Sequence, residues 1–269
     1  MADNAALAGL VEAVRANRKY AGITADLISR LAADALDRGL QGKAAVKDVR
    51  NKLHQVGGAY FRQPPDYASA LAAIGSLPQS LESPETQSFC RAQMRAHASS
   101  AERLPILAEF FQTCLAPIAP VHSVLDLACG LNPLALPWMP LARDYTYQAC
   151  DIYLDLLALV DAFLHHFSPG SQAFACDLVA GPPPAAAQVA FLLKTIPCLE
   201  QVDKRIGAAL LPSIQAEHIL VSFPAKSLGG RSKGMPDFYR DHFYTLIEGQ
   251  PWRVQEFTFP TEIAFLVTK

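Results

Sequence analysis

The stretch from Val124 to Pro133 constrains the fold of this chain more than any other part of its sequence. Val124 to Leu127 is a short apolar run that predicts a buried strand, and the next residues include Gly130, which is free to adopt positive φ. A strand followed by a glycine-containing turn leaves backbone N–H groups facing a cleft. A polar ligand can bind there.

Asp151 follows the next strand-like run, about 20 residues after the turn that contains Gly130. A carboxylate at this distance is suited to accept hydrogen bonds from the hydroxyls of a ribose. The turn lacks the second and third glycines of the pattern G-x-G-x-x-G, which argues against a pyrophosphate. We therefore expect a cofactor that has a ribose but no phosphates.

Strands and helices alternate after residue 120, which predicts a doubly wound parallel sheet. The predicted strands span 122–127, 145–150, 172–176, 188–194 and 217–223, and the predicted helices span 134–141, 152–167 and 199–213.

The last two predicted strands, 252–259 and 262–267, are separated by only Pro260 and Thr261. Such a pair predicts an antiparallel hairpin on an otherwise parallel sheet. Class I, Rossmann-like methyltransferases, which bind S-adenosylmethionine, end in this way. The fold class predicted is therefore α/β of this type, preceded by an all-helical N-terminal domain.

Ligands of a doubly wound sheet bind across the carboxyl ends of its strands. Asp126, Gly130, Asp151, Asp177 and Lys194 lie at or near such ends. Asp177 is expected to accept from an adenine amino group, with Leu178 and Leu193 on either side of the ring. A strand-end aspartate can also be a helix cap, although two at successive strands make that interpretation less favourable.

Residues 4–60 are predicted to be helical, and Lys43, Lys47, Arg50 and His54 form a stripe on the third of these helices. The stripe is either an ordinary solvated helix face or a surface that binds phosphates. Nearby cations favour the second interpretation: Arg15, Arg18, Lys19, Lys52 and Arg62.

A domain boundary is predicted near residue 95, giving domains 1–95 and 96–269. Ser99 and Glu102 have the spacing of a capping box, so a helix is expected to start there and continue through Leu115, with a kink at Pro105. Residues 63–84 contain several prolines and predict irregular structure with one small helix.

Composition excludes several classes of protein. The chain has 269 residues, 51% of them hydrophobic, and a net charge of -2, so overall charge does not indicate nucleic acid. It has no apolar run long enough for a membrane span and no secretory signal. Its six cysteines form no C-x-x-C pair, so we expect no metal, buried thiols and a cytoplasmic location.

The loop after the fifth strand is rich in glycine and carries Lys226, Arg231 and Lys233. It does not have the order of a P-loop. It is either an ordinary flexible loop or, as we prefer, a loop that contacts the substrate, because it opens at the edge where the ligand is expected.

By these motifs together, the chain resembles the aminoglycoside-resistance 16S rRNA (guanine-N7) methyltransferases. The resemblance extends over most of the chain. The segment from Ser227 to Arg231 and the turn from Ala128 to Pro133 are specific. Pro105 and the Pro182-Pro183-Pro184 loop depart from the family pattern. The matching segments are 53–60, 97–104, 125–136, 191–194 with Pro197, and 221–235.

The resemblance implies a helical domain that docks on the 30S ribosomal subunit and a domain that binds S-adenosylmethionine. Arg103 would pair with the methionine carboxylate, and Lys194 and Arg231 would act on the substrate side as the catalytic pair. The residues implied to hold the cofactor are Tyr60, His97, Ala98, Ser99, Arg103, Ala128, Gly130, Asp151, Asp177, Leu178, Leu193 and Gln201. Those expected to bind RNA are Arg18, Lys19, Lys47, Arg50, Arg62, Lys226, Arg231 and Lys233.

The expected reaction is transfer of a methyl group to N7 of a guanine in the decoding-site helix of 16S rRNA, by a monomeric enzyme. N7 carries a lone pair and no proton, so no general base is required. Two alternatives remain: a methyltransferase with another target, either N1 of a nearby adenine or another RNA, and a non-catalytic RNA-binding protein that keeps the fold. A nicotinamide dehydrogenase is disfavoured by the glycine pattern.

Overall fold

A computed structural model of the chain describes residues 4–55, 66–225 and 235–269. These residues form a seven-stranded sheet in the order β3-β2-β1-β4-β5-β7-β6. Each strand lies where the sequence predicted one. The bounds are β1 Val121–Leu127, β2 Leu141–Asp151, β3 Gln172–Ala175, β4 Ala187–Leu193, β5 Ala216–Pro224, β6 Arg253–Thr258 and β7 Glu262–Thr268.

Strands β1 to β5 are parallel, and β6 runs in their direction while β7, between β5 and β6, runs in the opposite one. β1 pairs with β2 on one side and with β4 on the other. β7 pairs antiparallel with both β5 and β6. The chain thus reverses its direction of winding between β1 and β4, where an open α/β sheet forms a crevice at its carboxyl edge. The prediction of a parallel sheet is confirmed.

The helices divide into those before the sheet and those that cover it. An amphipathic stripe accounts for the longer ones; in α3, for example, Leu27, Ile28 and Leu31 are buried. The bounds are α1 Asn4–Arg15, α2 Arg18–Ala21, α3 Ala25–Asp37, α4 Gly42–Leu53, α5 Tyr67–Ile74, α6 Pro84–Met94, α7 Ala98–Arg103, α8 Leu107–Leu115, α9 Leu154–Phe167, α10 Ile196–Leu199, α11 Ile206–Ser213 and α12 Met235–Leu246.

Helices α1 to α4, residues 4–53, pack around a core of their own, and we call them the helical unit. Two residues that follow Asp151, Ile152 and Tyr153, pack against this core from the sheet side. By contrast, α5 and α6 contribute Tyr67, Ile74 and Met94 to the core of the sheet. The boundary predicted near residue 95 therefore does not coincide with the division between these cores, which falls before residue 66.

Three predicted helices differ from the structure. The segment predicted at 134–141 is a 3-10 helix, Asn132–Trp138, since Pro137 inside it removes a backbone donor that an α-helix needs. The N-cap expected at Ser99 lies two residues earlier, at His97, which makes no side-chain capping hydrogen bond, and Pro105 divides the expected helix into α7 and α8.

The helix predicted at 199–213 is also divided. Pro197 lies at the first turn of α10, and the Asp203 side chain accepts from the Arg205 backbone N–H at 2.9 Å, which closes a turn before α11. Helix α6 was not predicted. Ser83 caps it and Pro84 occupies its first turn, a start signal that the sequence does contain.

None of the helices in the described ranges is long and apolar enough to cross a membrane.

Candidate functional site

A pocket lies at the carboxyl edge of the sheet, across the ends of β1, β2 and β4. It is the crevice that the change in winding direction creates. Most of the residues predicted for the cofactor and the lysine predicted for catalysis line it: His97, Ser99, Arg103, Ala128, Gly130, Asp151, Asp177, Leu178, Leu193 and Lys194.

The turn after β1 is shaped by its backbone conformation. Ala128 and Gly130 both have positive φ, 52° and 50°. A Cβ at Gly130 would lie 3.1 Å from Cε1 of His97, so a side chain here would require the imidazole to shift and would take a backbone conformation that favours glycine. The turn therefore places the Gly130 backbone directly against the imidazole of His97 in the pocket wall.

Asp151 ends β2 and is buried in the pocket wall. One of its carboxylate oxygens accepts from the Gly130 N–H at 2.9 Å, and the other accepts from the Ile152 N–H at 2.6 Å. Burial raises the pKa of this carboxyl, and the backbone hydrogen bonds oppose the shift. The Tyr153 N–H donates to the same oxygen as Ile152, at 3.4 Å, so the side chain is fixed in orientation and acceptor capacity is left on Oδ2.

Asp177 lies beyond the end of β3, and two contacts hold its carboxylate. Oδ1 accepts from the Val179 N–H at 3.0 Å, and Oδ2 accepts from Nε of Arg30 at 2.7 Å. Leu178 beside it is buried, as is Leu193 at the end of β4. The two leucines and the aspartate therefore bring apolar surface and an acceptor to one part of the pocket.

Arg103 is almost fully buried, and each of its nitrogen atoms has a partner. Nε and Nη2 bind both carboxylate oxygens of Glu262, and Nη1 donates to Oδ1 of Asn132 at 3.0 Å. Such a bidentate pair fixes the plane of the guanidinium. The second hydrogens on Nη1 and Nη2 are what remains for a ligand.

Lys194 follows β4 with positive φ, 60°, and its side chain is also buried. Its Nζ donates to Glu102 at 2.8 Å and lies 3.5 Å from Oε2 of Glu262. Glu262 is fully buried, and the positive charges of Arg103 and Lys194 hold its pKa below the usual value against the effect of burial. Buried charges of this kind persist only when they are paired.

Asp126, near the end of β1, forms the base of the pocket. Its Oδ2 accepts from Nδ2 of Asn132 at 2.9 Å and from the Tyr147 hydroxyl at 2.7 Å. Burial raises the pKa of Asp126 to about 7, although both hydrogen bonds oppose this. Because Asn132 also binds Arg103, the turn and the buried cation form one connected network.

The imidazole of His97 lies in the pocket wall against Gly130. Burial lowers its pKa to about 4, and the positive charges of Arg103 and Lys194 contribute in the same direction. The ring is therefore neutral at physiological pH, and it can act there as a shape-filling and hydrogen-bonding group.

Two predicted cofactor residues in the described ranges do not line the pocket. Ala98 is buried between two residues that do. Gln201 is exposed, and its side chain donates to the Pro197 carbonyl at 3.4 Å, because the turn before α11 directs it away. The predicted residues that lie outside the described ranges are Tyr60, Arg62, Lys226, Arg231 and Lys233.

The basic stripe of the helical unit separates into two kinds of residue. Lys47 is exposed on α4, and Arg18 and Lys19 are exposed on α2. Arg50 is half-buried, and its Nη2 donates to the Ala13 carbonyl at 2.6 Å, close to the C-terminus of α1. Arg50 thus stabilises the packing of α1 on α4. A residue whose only role was to bind phosphate would not need this contact.

Sequence reasoning missed two charged residues of the site. Glu262 is the first residue of an otherwise apolar strand. A carboxylate in such a strand indicates that a cation is buried beside it. Arg30 lies 147 residues from its partner Asp177, and no local pattern connects them. No group of metal-ligating side chains is found within the described parts of the chain, and the six cysteines are free thiols.

The sheet order, the antiparallel pair at its edge and the pocket across the strand ends define a class I methyltransferase fold. The family model described as ribosomal RNA methyltransferase (FmrO) matches residues 16–266. The chain belongs to this family of ribosomal RNA methyltransferases.

Similar proteins support the assignment along the whole chain. The 16S rRNA (guanine(1405)-N(7))-methyltransferase of Micromonospora echinospora is 34% identical over 261 residues, which cover 96% of this chain and 95% of that protein. The crystal structure of the 16S rRNA methyltransferase RmtF in complex with S-adenosyl-L-homocysteine has a TM-score of 0.79 and 30% identity, with 100% of both chains covered. The structure of the 16S rRNA methylase RmtB has a TM-score of 0.78 and 25% identity over 98% of both chains.

Proposed function

We propose that this chain methylates N7 of a guanine in the 16S rRNA of the 30S subunit, using S-adenosylmethionine. The observation that carries the proposal is the pocket with Asp151 and Asp177 at successive strand ends. It lies in a fold shared over the full length with a methyltransferase that was solved with S-adenosyl-L-homocysteine. The guanine of the curated relatives, 1405 in their names, is the position we propose here, in the decoding-site helix.

The pocket residues fit the three parts of S-adenosylmethionine. Asp151, fixed by three backbone N–H groups, has acceptor capacity left on Oδ2 for the ribose hydroxyls. Asp177 and the buried Leu178 and Leu193 suit an adenine ring with its amino group. The two unused donors of Arg103 suit a carboxylate, so the cation would serve Glu262 and the methionine end together.

The cofactor, when bound, supplies a methyl group activated on a sulfonium. N7 of guanine already presents a lone pair, so the protein does not need to remove a proton from it. The neutral His97 and the paired Lys194 are consistent with a site that positions reactants and does little acid–base work.

The helical unit is proposed to dock on the 30S subunit through its exposed cations, with Lys47 on α4 and Arg18 and Lys19 on α2. Because N7 lies in the deep major groove of A-form RNA, the guanine must leave its stack to reach the pocket. Lys194, which lines the pocket, is proposed to contact the base, and Arg231 and its neighbouring lysines are proposed to act on the substrate side as well.

Methylation of N7 gives the guanine a positive charge. A cationic drug that contacts this base would then meet repulsion and lose a hydrogen-bond acceptor. We therefore propose resistance to aminoglycosides that bind there as the biological result.

The test is to incubate the purified chain and radiolabelled S-adenosylmethionine with 30S subunits, digest the RNA and separate its nucleosides. The expected product is 7-methylguanosine, absent when Asp151→Asn replaces the wild type. Label in 1-methyladenosine would assign the chain to the alternative target. No label under conditions where the cofactor binds would make the chain a binding protein.

A further inference from the structure

The helical unit lies against the same pocket that the sheet forms. The turn between α2 and α3 is bound to the segment after Asp151: the Thr24 N–H donates to the Ile152 carbonyl at 2.9 Å, and the Leu154 N–H donates to the Gly22 carbonyl at 2.8 Å. These two hydrogen bonds place the N-terminus of α3 at the edge of the pocket.

From that start, the next turn of α3 faces the ligand. Leu27 lines the pocket, and Arg30 lies one helical turn further along the same face. Nε of Arg30 donates to Oδ2 of Asp177 at 2.7 Å. A helix of the unit expected to dock on RNA thus contributes both a wall residue and a partner for the carboxylate.

The contact is protected from solvent. The Asp177 side chain is 9% exposed and that of Arg30 is 32% exposed. Nη2 of Arg30 is buried and has no hydrogen-bond partner among residues 4–55, 66–225 and 235–269, so a donor remains. A partly buried charged pair is less screened than a surface pair and restrains both side chains.

We propose that Arg30 is a positioning residue of the cofactor pocket, and that it holds Asp177 in the orientation that accepts from the adenine amino group. This inference rests on the proposed function, because it assumes that the adenosyl end of the cofactor lies at Asp177. The helical unit is then part of the cofactor site as well as a docking surface.

The consequence is a selectivity for the amino group of the base. A carboxylate held between Arg30 and the Val179 N–H presents acceptor oxygens to an amino group and repels a carbonyl at the same place. Without Arg30, only the Val179 N–H holds the carboxylate, so its orientation is less restrained and the difference in affinity between the two bases decreases.

Calorimetry with S-adenosylhomocysteine and S-inosylhomocysteine tests this on the full chain. They differ at the base: the first has an amino group where the second has a carbonyl. Arg30→Ala is expected to weaken S-adenosylhomocysteine binding by about 10-fold and to change S-inosylhomocysteine binding much less. Arg30→Lys should recover part of the loss. In an Asp177→Asn background, Arg30→Ala should have no further effect.

Arg38→Ala is the matched control, because Arg38 directly follows the same helix but pairs with Asp34 and Asp48 within the helical unit. It should leave both affinities unchanged. Equal losses for both ligands in Arg30→Ala would mean that Arg30 acts only on general structure, and would overturn the proposal. Unchanged binding in Arg30→Ala would do so too. A wild-type chain that binds neither ligand would instead overturn the proposed function, and the role of Arg30 with it.

Discussion

The cations of the pocket and the cations of the helical unit differ in what surrounds them. Arg103 and Lys194 are buried, and Glu262 and Glu102 balance their charges. Lys43 and Lys47 on α4 are exposed to solvent. A buried charge without a partner is costly, so the pocket cations belong to a fixed network, whereas solvated cations remain available to attract phosphates.

This difference shows that sign of charge alone does not identify an RNA-binding residue. Arg50 belongs to the basic stripe by sequence, yet its guanidinium lies 5.9 Å from the Tyr20 ring centroid and donates to α1. Its replacement would disturb the packing of the helical unit as well as any phosphate contact. Lys47 is a better probe of docking than Arg50, because its side chain is exposed to solvent.

The largest expected effect concerns the buried network. Glu262→Gln keeps the size of the side chain but leaves Arg103 and Lys194 with an uncompensated charge. The free energy of unfolding should fall by about 3–5 kcal/mol. Urea unfolding measures it, with Glu256→Gln on β6 as control: its half-exposed pair with Arg240 should contribute about 1 kcal/mol or less. Equal losses in the two variants would remove the contrast between buried and exposed pairs.

A second effect appears in the pH dependence of stability. Burial lowers the pKa of His97 from 6.5 to about 4, so the unfolded chain binds this proton first as pH falls. The contribution of His97 is therefore fully present above pH 6.5 and decreases by up to about 3 kcal/mol as pH falls to 4.

Burial raises the pKa of Asp126 to about 7, so its contribution to the unfolding free energy changes with pH in the opposite direction. That contribution decreases as pH rises over much of the same range. The informative quantity is thus the difference between the wild type and His97→Gln. In the variant, the unfolding free energy should rise less with pH, by up to about 1.4 kcal/mol per pH unit. Parallel curves from pH 4 to 6.5 would mean that His97 titrates normally in the folded chain.

The third effect is on cofactor affinity. Asp151→Ala removes the proposed acceptor for the ribose hydroxyls and should weaken S-adenosylmethionine binding by about 1.5–3 kcal/mol in calorimetry. Its affinity for 30S subunits should stay at the wild-type level, because the docking surface is separate. Wild-type cofactor affinity in this variant would place the ribose elsewhere.

The smallest effect is on docking. Lys47→Ala should weaken 30S binding and reduce the slope of log affinity against log salt by about one, with cofactor affinity unchanged. Arg253→Ala, which removes an exposed cation from β6 far along the sheet order from the helical unit, is the control. If both variants keep the full salt slope, the stripe is an ordinary solvated helix face.

The strands could be predicted because β1, β4, β5 and β7 are largely apolar runs bounded by local turn signals. Asp151 and Gly130 could be placed for the same reason, since strand ends meet at one edge of a parallel sheet. The position of Gln201 could not be predicted in this way, because Pro197 and the turn at Asp203 divide the helix that was expected there.

Contacts between segments that are distant in the sequence could not be predicted from local patterns. Glu262 pairs with a residue 159 positions away, and the Arg30 contact joins two separate cores. The helix from Pro84 to Met94 is a different case, because its capping serine and proline were readable. Its burial against the sheet, which moves the division between cores to before residue 66, depends on packing and not on composition.

The central claim, that the pocket acts on a single guanine N7 presented by the docked subunit, is tested most directly by mapping the modified base. Treated 30S subunits are reduced with borohydride and cleaved with aniline, which breaks RNA at 7-methylguanosine, and primer extension locates the break. The account predicts one new stop in the decoding-site helix, dependent on S-adenosylmethionine and absent with Asp151→Ala. Methyl incorporation without cleavage there, or cleavage at another guanine, would contradict it.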